Sequence, residues 1–177
     1  MLRLLMPQAA TVAVDVVVQG IIHATTGYAA HRLGDERLRR DGWLLRQRGF
    51  EDDGRWYRDR LRIHSWKDRV PEAGALFQGG VSKRELPSYD AAGLELFVRE
   101  TRRAELGHWW AMACSPIFLL WNPPLPSTLL VAYGVGVNLP FIAIQRYNRF
   151  RTQAVIARRG AYGRRSGPDQ GPDREDP

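Results

Sequence analysis

Residues 100–151 read ETRRAELGHWWAMACSPIFLLWNPPLPSTLLVAYGVGVNLPFIAIQRYNRFR, and this stretch decides the fold. Two nearly uncharged runs, at about residues 108–121 and 128–144, are separated by the proline-rich turn NPPLPS. At a rise of 1.5 Å per residue, about 20 helical residues cross the hydrocarbon core of a bilayer. The stretch therefore predicts a helical hairpin in a membrane. Because both runs are short for full crossings, a hairpin that re-enters the membrane without spanning it is the alternative.

Another apolar run, at about residues 4–28, predicts an N-terminal transmembrane helix. A cleaved signal peptide is the alternative, but this run is long for one and contains Asp15, Gln19 and His23. These polar residues stand four apart and share one helix face, so they are expected to avoid lipid. They either make hydrogen bonds between packed helices or, for Asp15 and His23, form a second-rank site.

The charged residues are segregated from the apolar runs. Of the 26 Lys and Arg in this 177-residue chain, all but one lie between Arg32 and Arg103 or from Arg146 onward. The net charge of +7 would suit a nucleic-acid partner, but a nucleic-acid-binding domain has no need of bilayer-length apolar runs. Basic loops stay cytoplasmic and contact anionic lipids. The pattern predicts a multi-pass protein of the cell membrane, with the middle segment and the C-terminal tail in the cytoplasm.

The fold class predicted is mainly α, a small integral membrane protein with about three transmembrane helices. Residues 1–157 are expected to form one domain and residues 158–177 a disordered tail. Between the first helix and the hairpin, the basic and aromatic segment His31–Phe50 is predicted to lie flat at the lipid headgroups as an interfacial helix. Ser88 and Asp90 are plausible caps for a helix that begins near Ala91.

No metal or cofactor is predicted. The single cysteine, Cys114, excludes an internal disulfide and every site built from several cysteines. The Gly79–Gly80 pair is a weak signal for a phosphate loop, since neither a Walker pattern nor a dinucleotide-binding glycine pattern occurs.

The segment ETRRAELGHW, residues 100–109, is the first candidate for chemistry. Glu105 and His108 are three residues apart and share a helix face, as do Glu100 and Arg103. A carboxylate beside an imidazole fixes its tautomer and raises its basicity, which suits a general base for an alcohol. The alternative is a solvated helix turn with surface ion pairs.

The segment NLPFIAIQRYNRFR, residues 138–151, is the second candidate. Cations at the cytoplasmic end of a helix are ordinary anchors, and arginines there can also clamp phosphates in bidentate fashion. Asn138 with Pro140 adds an amide and frees backbone carbonyls inside the bilayer, which is tolerated where protein or a cavity supplies partners.

Together the two segments, about 30 residues apart, resemble the paired signature of the glycosyl-4,4'-diaponeurosporenoate acyltransferases. The upstream WKDRVPEAG, residues 66–74, resembles the Trp-Lys segment of that family. The resemblance implies a membrane enzyme that esterifies the sugar of a glycosylated C30 carotenoid acid, without a cofactor, using an acyl-coenzyme A or acyl carrier protein thioester as co-substrate. The positions carried over by motif are Trp66, Lys67, Glu100, Arg103, Glu105, His108, Asn138, Gln145, Arg146, Tyr147, Asn148 and Arg149.

From the chemistry of these side chains we expect His108, oriented by Glu105, to take the proton from a sugar hydroxyl as the oxygen attacks the thioester. Arg103 or Arg146 would stabilise the oxyanion or hold the donor's phosphates. The remaining carried-over positions are expected to bind substrate, with the amides of Asn138, Gln145 and Asn148 on sugar hydroxyls. Two other functions stay open, an acyltransferase acting on another glycolipid and a non-catalytic membrane subunit of a pigment pathway.

Overall fold

The computed structural model describes residues 7–70 and 88–165, and within these ranges no residue lies in a strand. The α-helices are α1 (Gln8–His31), α2 (Arg55–Asp59), α3 (Ala91–Cys114) and α4 (Pro124–Arg165). Short 3₁₀ helices cover Asp35–Leu38, Gly49–Gly54, Ile63–Ser65, Lys67–Arg69 and Ser115–Leu120. The mainly helical class is therefore confirmed. The Gly79–Gly80 pair and residues 166–177 of the predicted tail lie outside the described residues.

The start of α3 follows the predicted capping pattern. Asp90 is the N-cap, and its Oδ1 accepts a hydrogen bond of 2.7 Å from the backbone N–H of Gly93. The Ser88 hydroxyl donates to the same carboxylate oxygen. An N-cap carboxylate satisfies one of the N–H groups that a first helical turn leaves unpaired, so both residues stabilise this end of α3.

Helix α3 packs against both α1 and α4. Two glycines allow the helices to approach closely. A Cβ at Gly107 would contact Ala30 of α1 at 3.5 Å, and a Cβ at Gly134 of α4 would overlap the Ser115 hydroxyl. Small residues at such contacts are typical of helices that pack in a membrane.

Two of the described helices, α1 and α4, are long and apolar enough to cross a bilayer. Only 17% of the apolar window in α1 and 33% of that in α4 is buried inside the protein. Large apolar side chains such as Val16 and Leu129 are more than 60% exposed. A core helix of a soluble protein would bury this surface. The two helices indicate association with a membrane.

The predicted crossing at residues 108–121 does not form one continuous α-helix. Helix α3 ends at Cys114, and the chain continues as the 3₁₀ helix Ser115–Leu120, which contains Pro116. Residues 108–114 and this 3₁₀ helix together rise about 22 Å, less than the roughly 30 Å of a hydrocarbon core. Two described helices rather than three meet the criterion for a span.

The segment His31–Phe50 is not the flat interfacial helix that its composition suggested. It forms the 3₁₀ turn Asp35–Leu38 and extended or turn structure up to the 3₁₀ helix Gly49–Gly54. The physical reason lies in its carbonyl groups. Those of Leu38, Leu44 and Leu45 accept hydrogen bonds from arginine side chains of α3 and α4. A continuous helix would have used these carbonyls internally.

Residues 158–165 also differ from the prediction, since they continue α4 and are not a disordered tail. The sequence ARRGAYGRR that ends α4 contains two glycines, which disfavour a helix, but also alanines and arginines, which favour it, and a helix that is already nucleated extends more easily than a new one forms. The guanidinium of Arg159 donates to the carbonyl of Tyr89 at 2.5 Å and ties this part of α4 to the start of α3.

The polar face of α1 makes a helix-packing contact. Asp15 is buried, and its Oδ1 accepts hydrogen bonds of 2.8 Å from the indole of Trp121 and from the amide of Asn122. Gln19 and His23 pair with each other along α1 at 2.9 Å. For Asp15, the packing interpretation is confirmed.

Candidate active site

The side chains of His108 on α3 and Asn138 on α4 meet across the helix interface. Nδ1 of His108 lies 2.9 Å from Oδ1 of Asn138. The Nδ2 group of Asn138 donates to the carbonyl of Gly134 at 2.7 Å, so the amide oxygen faces the imidazole. Phe141, one turn further along α4, stacks on the imidazole with a centroid distance of 4.7 Å and an interplanar angle of 8°.

This arrangement sets the tautomer of His108. An amide oxygen only accepts, so Nδ1 carries the proton and donates it to Asn138. In the neutral imidazole the lone pair then belongs to Nε2. Stacking on Phe141 and the fixed amide hold the ring in one orientation. The sequence analysis predicted that Asn138 binds the sugar. In the structure its side chain instead orients the imidazole of His108.

Glu105 was expected to orient His108, but the contacts of its carboxylate point elsewhere. It is fully buried. Oε1 accepts from Nη1 of Arg146 at 2.7 Å and from the indole of Trp109 at 3.0 Å, and Oε2 forms an ion pair with Nη1 of Arg149 at 2.5 Å. Glu105 is therefore the counter-ion of two buried arginines of α4.

Every guanidinium nitrogen of Arg146 is occupied by protein acceptors. Nε contacts Glu51 at 2.6 Å and the Tyr57 hydroxyl at 3.1 Å, and Nη2 contacts the second oxygen of Glu51 at 2.9 Å. The carbonyls of Leu44 and Arg46 and the carboxylate of Glu105 accept its other hydrogen bonds. A buried, fully hydrogen-bonded guanidinium has no donor left for an oxyanion or for a phosphate.

The chemistry of Glu51 and Tyr57 completes this cluster. Burial by itself raises the pKa of Glu51, but hydrogen bonds from Arg146, Tyr57 and the Arg48 backbone outweigh it, and the pKa is lowered below its ordinary value of 4.5. Burial, together with its hydrogen bond to the Glu51 carboxylate, raises the pKa of the Tyr57 phenol. Tyr57 thus stays protonated and donates to Glu51.

A second group of charges continues the network toward the start of α3. Arg149 is fully buried, donates to the carbonyl of Leu45 at 2.7 Å and lies 3.6 Å from Asp41. Asp41 accepts from Arg102 at 2.7 Å and from Gln153 at 3.0 Å. The loop from Leu38 to Glu51 is held on α3 and α4 chiefly by these arginines.

The lowered pKa of Glu51 predicts acid sensitivity of the fold. Its carboxylate binds protons less readily when folded than when unfolded, so its contribution to stability is complete above about pH 4.5 and is lost as the pH falls through the folded pKa. Thermal unfolding in detergent between pH 7 and pH 3 should show a smaller loss of stability in Glu51→Gln than in the unchanged protein. Equal pH dependence in both proteins would contradict the assignment.

The other predicted site residues lie at several places in the structure. Arg103 reaches the C-terminal end of α1, with bonds of 3.3 to 3.4 Å to the carbonyls of Leu33 and His31, and pairs with Glu100 at 3.6 Å. Gln145 is buried, and within residues 7–70 and 88–165 its Oε1 has no hydrogen-bond partner. The rest have local roles: Tyr147 and Trp66 belong to or pack on an aromatic core cluster, Lys67 pairs with Asp68, and the Asn148 carbonyl accepts from Thr152.

Sequence reasoning missed Glu51, Tyr57 and Asp41. They come from the irregular middle segment, where no periodicity marks a buried position. No group of three or more His, Cys, Asp or Glu side chains suited to a metal ion occurs among the described residues.

Comparison with known proteins identifies the family to which the chain belongs. The family model described as glycosyl-4,4'-diaponeurosporenoate acyltransferase matches residues 41–158, which include His108, Asn138 and the whole buried charge cluster. A protein of that name from Staphylococcus aureus strain USA300 is 30% identical over 132 residues, covering 73% of this chain and 79% of the relative. The relative from Staphylococcus haemolyticus is 35% identical over 104 residues, covering 59% of this chain and 60% of the relative. The search of solved structures found no match. The chain belongs to the glycosyl-4,4'-diaponeurosporenoate acyltransferase family.

Proposed function

We propose that this chain transfers a fatty acyl group from an acyl thioester to a sugar hydroxyl of a glycosylated C30 carotenoid acid. The observation that carries the proposal is the pairing of His108 with Asn138 at 2.9 Å, inside the region that matches the acyltransferase family. One residue comes from each segment of the predicted signature: His108 is the base, and Asn138 orients it. The relatives' names supply the acceptor.

The reaction needs one base and one acid, and an imidazole can be both. Nε2 of His108 removes the proton from the sugar hydroxyl while the oxygen forms a bond to the thioester carbonyl carbon. The carbon–sulfur bond of the tetrahedral intermediate then breaks. The leaving thiolate takes the proton from His108, which yields the ester and a thiol and returns the imidazole to its starting state.

Other side chains of the signature fit supporting roles. The buried Oε1 of Gln145 can accept a hydrogen bond from a sugar hydroxyl, which would satisfy an atom that has no described partner. Because Arg146 is saturated by protein groups, Arg103 is the cation proposed to approach the oxyanion. Its bonds of 3.3 and 3.4 Å to two carbonyls are long, and its partner Asp35 is exposed, so this guanidinium can be redirected.

The proposed position in the membrane places this chemistry at the cytoplasmic face. In this arrangement α1 crosses once, and residues 108–121 and the first half of α4 enter the membrane as a hairpin joined by the NPPLPS turn. The basic segment between α1 and α3 and the end of α4 then lie in the cytoplasm, as the distribution of arginines favours. A polyene and an acyl tail can stay in lipid there, while the sugar and the thioester reach water.

The direct test uses the purified chain in lipid nanodiscs with a glycosylated carotenoid acid and a labelled acyl-coenzyme A. We expect a product heavier by one acyl group. Product with another glycosyl lipid but not with the carotenoid would move the function to that acceptor. No product with any glycosyl lipid, from coenzyme A or carrier-protein thioesters, would overturn the enzyme assignment in favour of a non-catalytic subunit.

A further inference from the structure

A basic groove lies beside the buried charge cluster, on the outside of the C-terminal part of α4. Its volume is about 960 Å³. Arg55 and Arg58 of α2 line one wall, and Arg151 and Arg158 of α4 line the other. His108 and the amide side chains proposed to bind the sugar do not line this groove. The chemical steps described above therefore use none of its arginines.

The close approach of α2 to α4 shapes the groove. Gly54, directly before α2, has a positive φ of 85°, a conformation that side chains other than glycine rarely adopt. A Cβ at this position would also lie 3.3 Å from the carbonyl of Tyr147. Glycine thus allows the chain to turn against α4 and to present Arg55 across from Arg151.

The charges of the groove do not cancel. Two carboxylates, Asp41 and Asp53, line it with the four arginines. Asp41 is already neutralised from behind by Arg102 at 2.7 Å and Arg149 at 3.6 Å. Among the lining residues, Asp53 is then left with four arginines, and Asp52 and Asp59 at the edge pair with two of these. The excess charge stays positive, so the groove attracts anions.

Two of these cations have weak partners that an anion can displace. Arg55 pairs with Asp52 at 3.5 Å and Arg58 with Asp59 at 2.7 Å, and all four side chains are more than half exposed. Exposed ion pairs of this kind contribute little to stability. A phosphate accepts parallel hydrogen bonds from a guanidinium as a carboxylate does. A phosphate monoester also carries about 1.5 to 2 negative charges, against one on a carboxylate, and this favours the phosphate.

We propose that this groove binds the phosphate groups of the acyl donor, an inference that rests on the proposed function. The spacing along α4 supports it. Asn138, which holds the proposed base, and Arg151 are 13 residues apart, which corresponds to about 20 Å of helix. An extended phosphopantetheine arm is about as long as this axial distance, so a donor whose thioester lies at His108 is long enough for its phosphates to reach the level of the groove. Arg146 lies between the two but is fully occupied by Glu51 and Glu105.

The first test measures binding of coenzyme A to the purified chain in detergent. The variant Arg55→Gln with Arg158→Gln removes one cation from each wall. The matched control, Arg37→Gln with Arg60→Gln, removes the same charge from exposed positions outside the groove. We expect the first double variant to raise the Kd for coenzyme A by about tenfold or more, as the loss of charged hydrogen bonds predicts, and the control to leave it unchanged. Equal Kd values for both would overturn the proposal.

A second measurement separates the donor from lipid headgroups, which also carry phosphate. Binding to vesicles of phosphatidylglycerol is compared for the same two double variants. If the groove variant weakens vesicle binding but not coenzyme A binding, the groove contacts lipid and the proposal is wrong.

Kinetics separate this proposal from the proposed function. With acyl-coenzyme A the groove variant should have a raised KM, whereas with an acyl-pantetheine that lacks phosphate it should match the unchanged protein. Acyl transfer with the same KM for acyl-coenzyme A in both proteins would reject the groove alone. Absence of acyl transfer by the unchanged protein with any donor would reject the function, and with it this inference.

Discussion

Replacing His108 by alanine is expected to lower acyl transfer by about 10²- to 10⁴-fold, the range typical of a lost general base. The amide of Asn138 holds the imidazole of His108 in a defined tautomer, so that Nε2 carries the lone pair and can accept a proton. Glu105 and Arg146 cannot replace it, because they are engaged with each other at 2.7 Å. The assay measures labelled ester formed per unit of protein in the membrane fraction.

Two further variants show whether the loss is chemical. His64→Ala is the matched control, since His64 is exposed on a short 3₁₀ helix, and it should keep full activity. Asn138→Leu removes the acceptor that fixes the tautomer, so it should lower kcat less than His108→Ala and shift the pH profile of kcat. Activity of His108→Ala equal to that of the control would remove His108 from the mechanism.

Periodicity predicted the parts of this protein that obey a helical repeat. The apolar runs located α1 and α4, and the Asp90 cap located the start of α3. The predicted hairpin also agrees with the packing of α3 on α4, in which His108 meets Asn138. What spacing could not assign was the partner of each side chain. Glu105 and His108 share a face of α3, yet the described contacts of Glu105 run to Arg149 and those of His108 to Asn138.

The loop partners could not be assigned because they follow no repeat. The number of charges gives part of the answer. Arg146 and Arg149 lie one turn apart on α4, and the single carboxylate of Glu105 cannot neutralise both. A further anion was therefore needed. The segment between α1 and α3 contains many candidate carboxylates, and only the three-dimensional structure shows that Glu51 and Asp41 are the ones used.

Glu105→Gln is expected to be the most destabilising substitution in this network. Removing one partner of a buried ion pair leaves an uncompensated charge and typically costs about 3–5 kcal/mol. Here a single carboxylate, 0% exposed, faces two arginines, so both lose a counter-ion. Thermal unfolding in detergent should occur on the order of 10 °C lower. Glu95→Gln, on an exposed position of the same helix, is the matched control and should leave the midpoint unchanged.

The combination of Glu105→Met with Arg149→Met tests whether the cost arises from the unpaired charge. Apolar replacement of both members of a buried pair is often neutral, because neither charge then has to be desolvated. We therefore expect the double variant to be more stable than Glu105→Met alone, with a coupling free energy of about 0.5–3 kcal/mol. Since His108 and Asn138 are unchanged, the folded double variant should keep measurable acyl transfer. A loss in the double variant equal to the sum of the two single losses would contradict the ion-pair account. An inactive but fully folded double variant would place Glu105 or Arg149 in the chemistry.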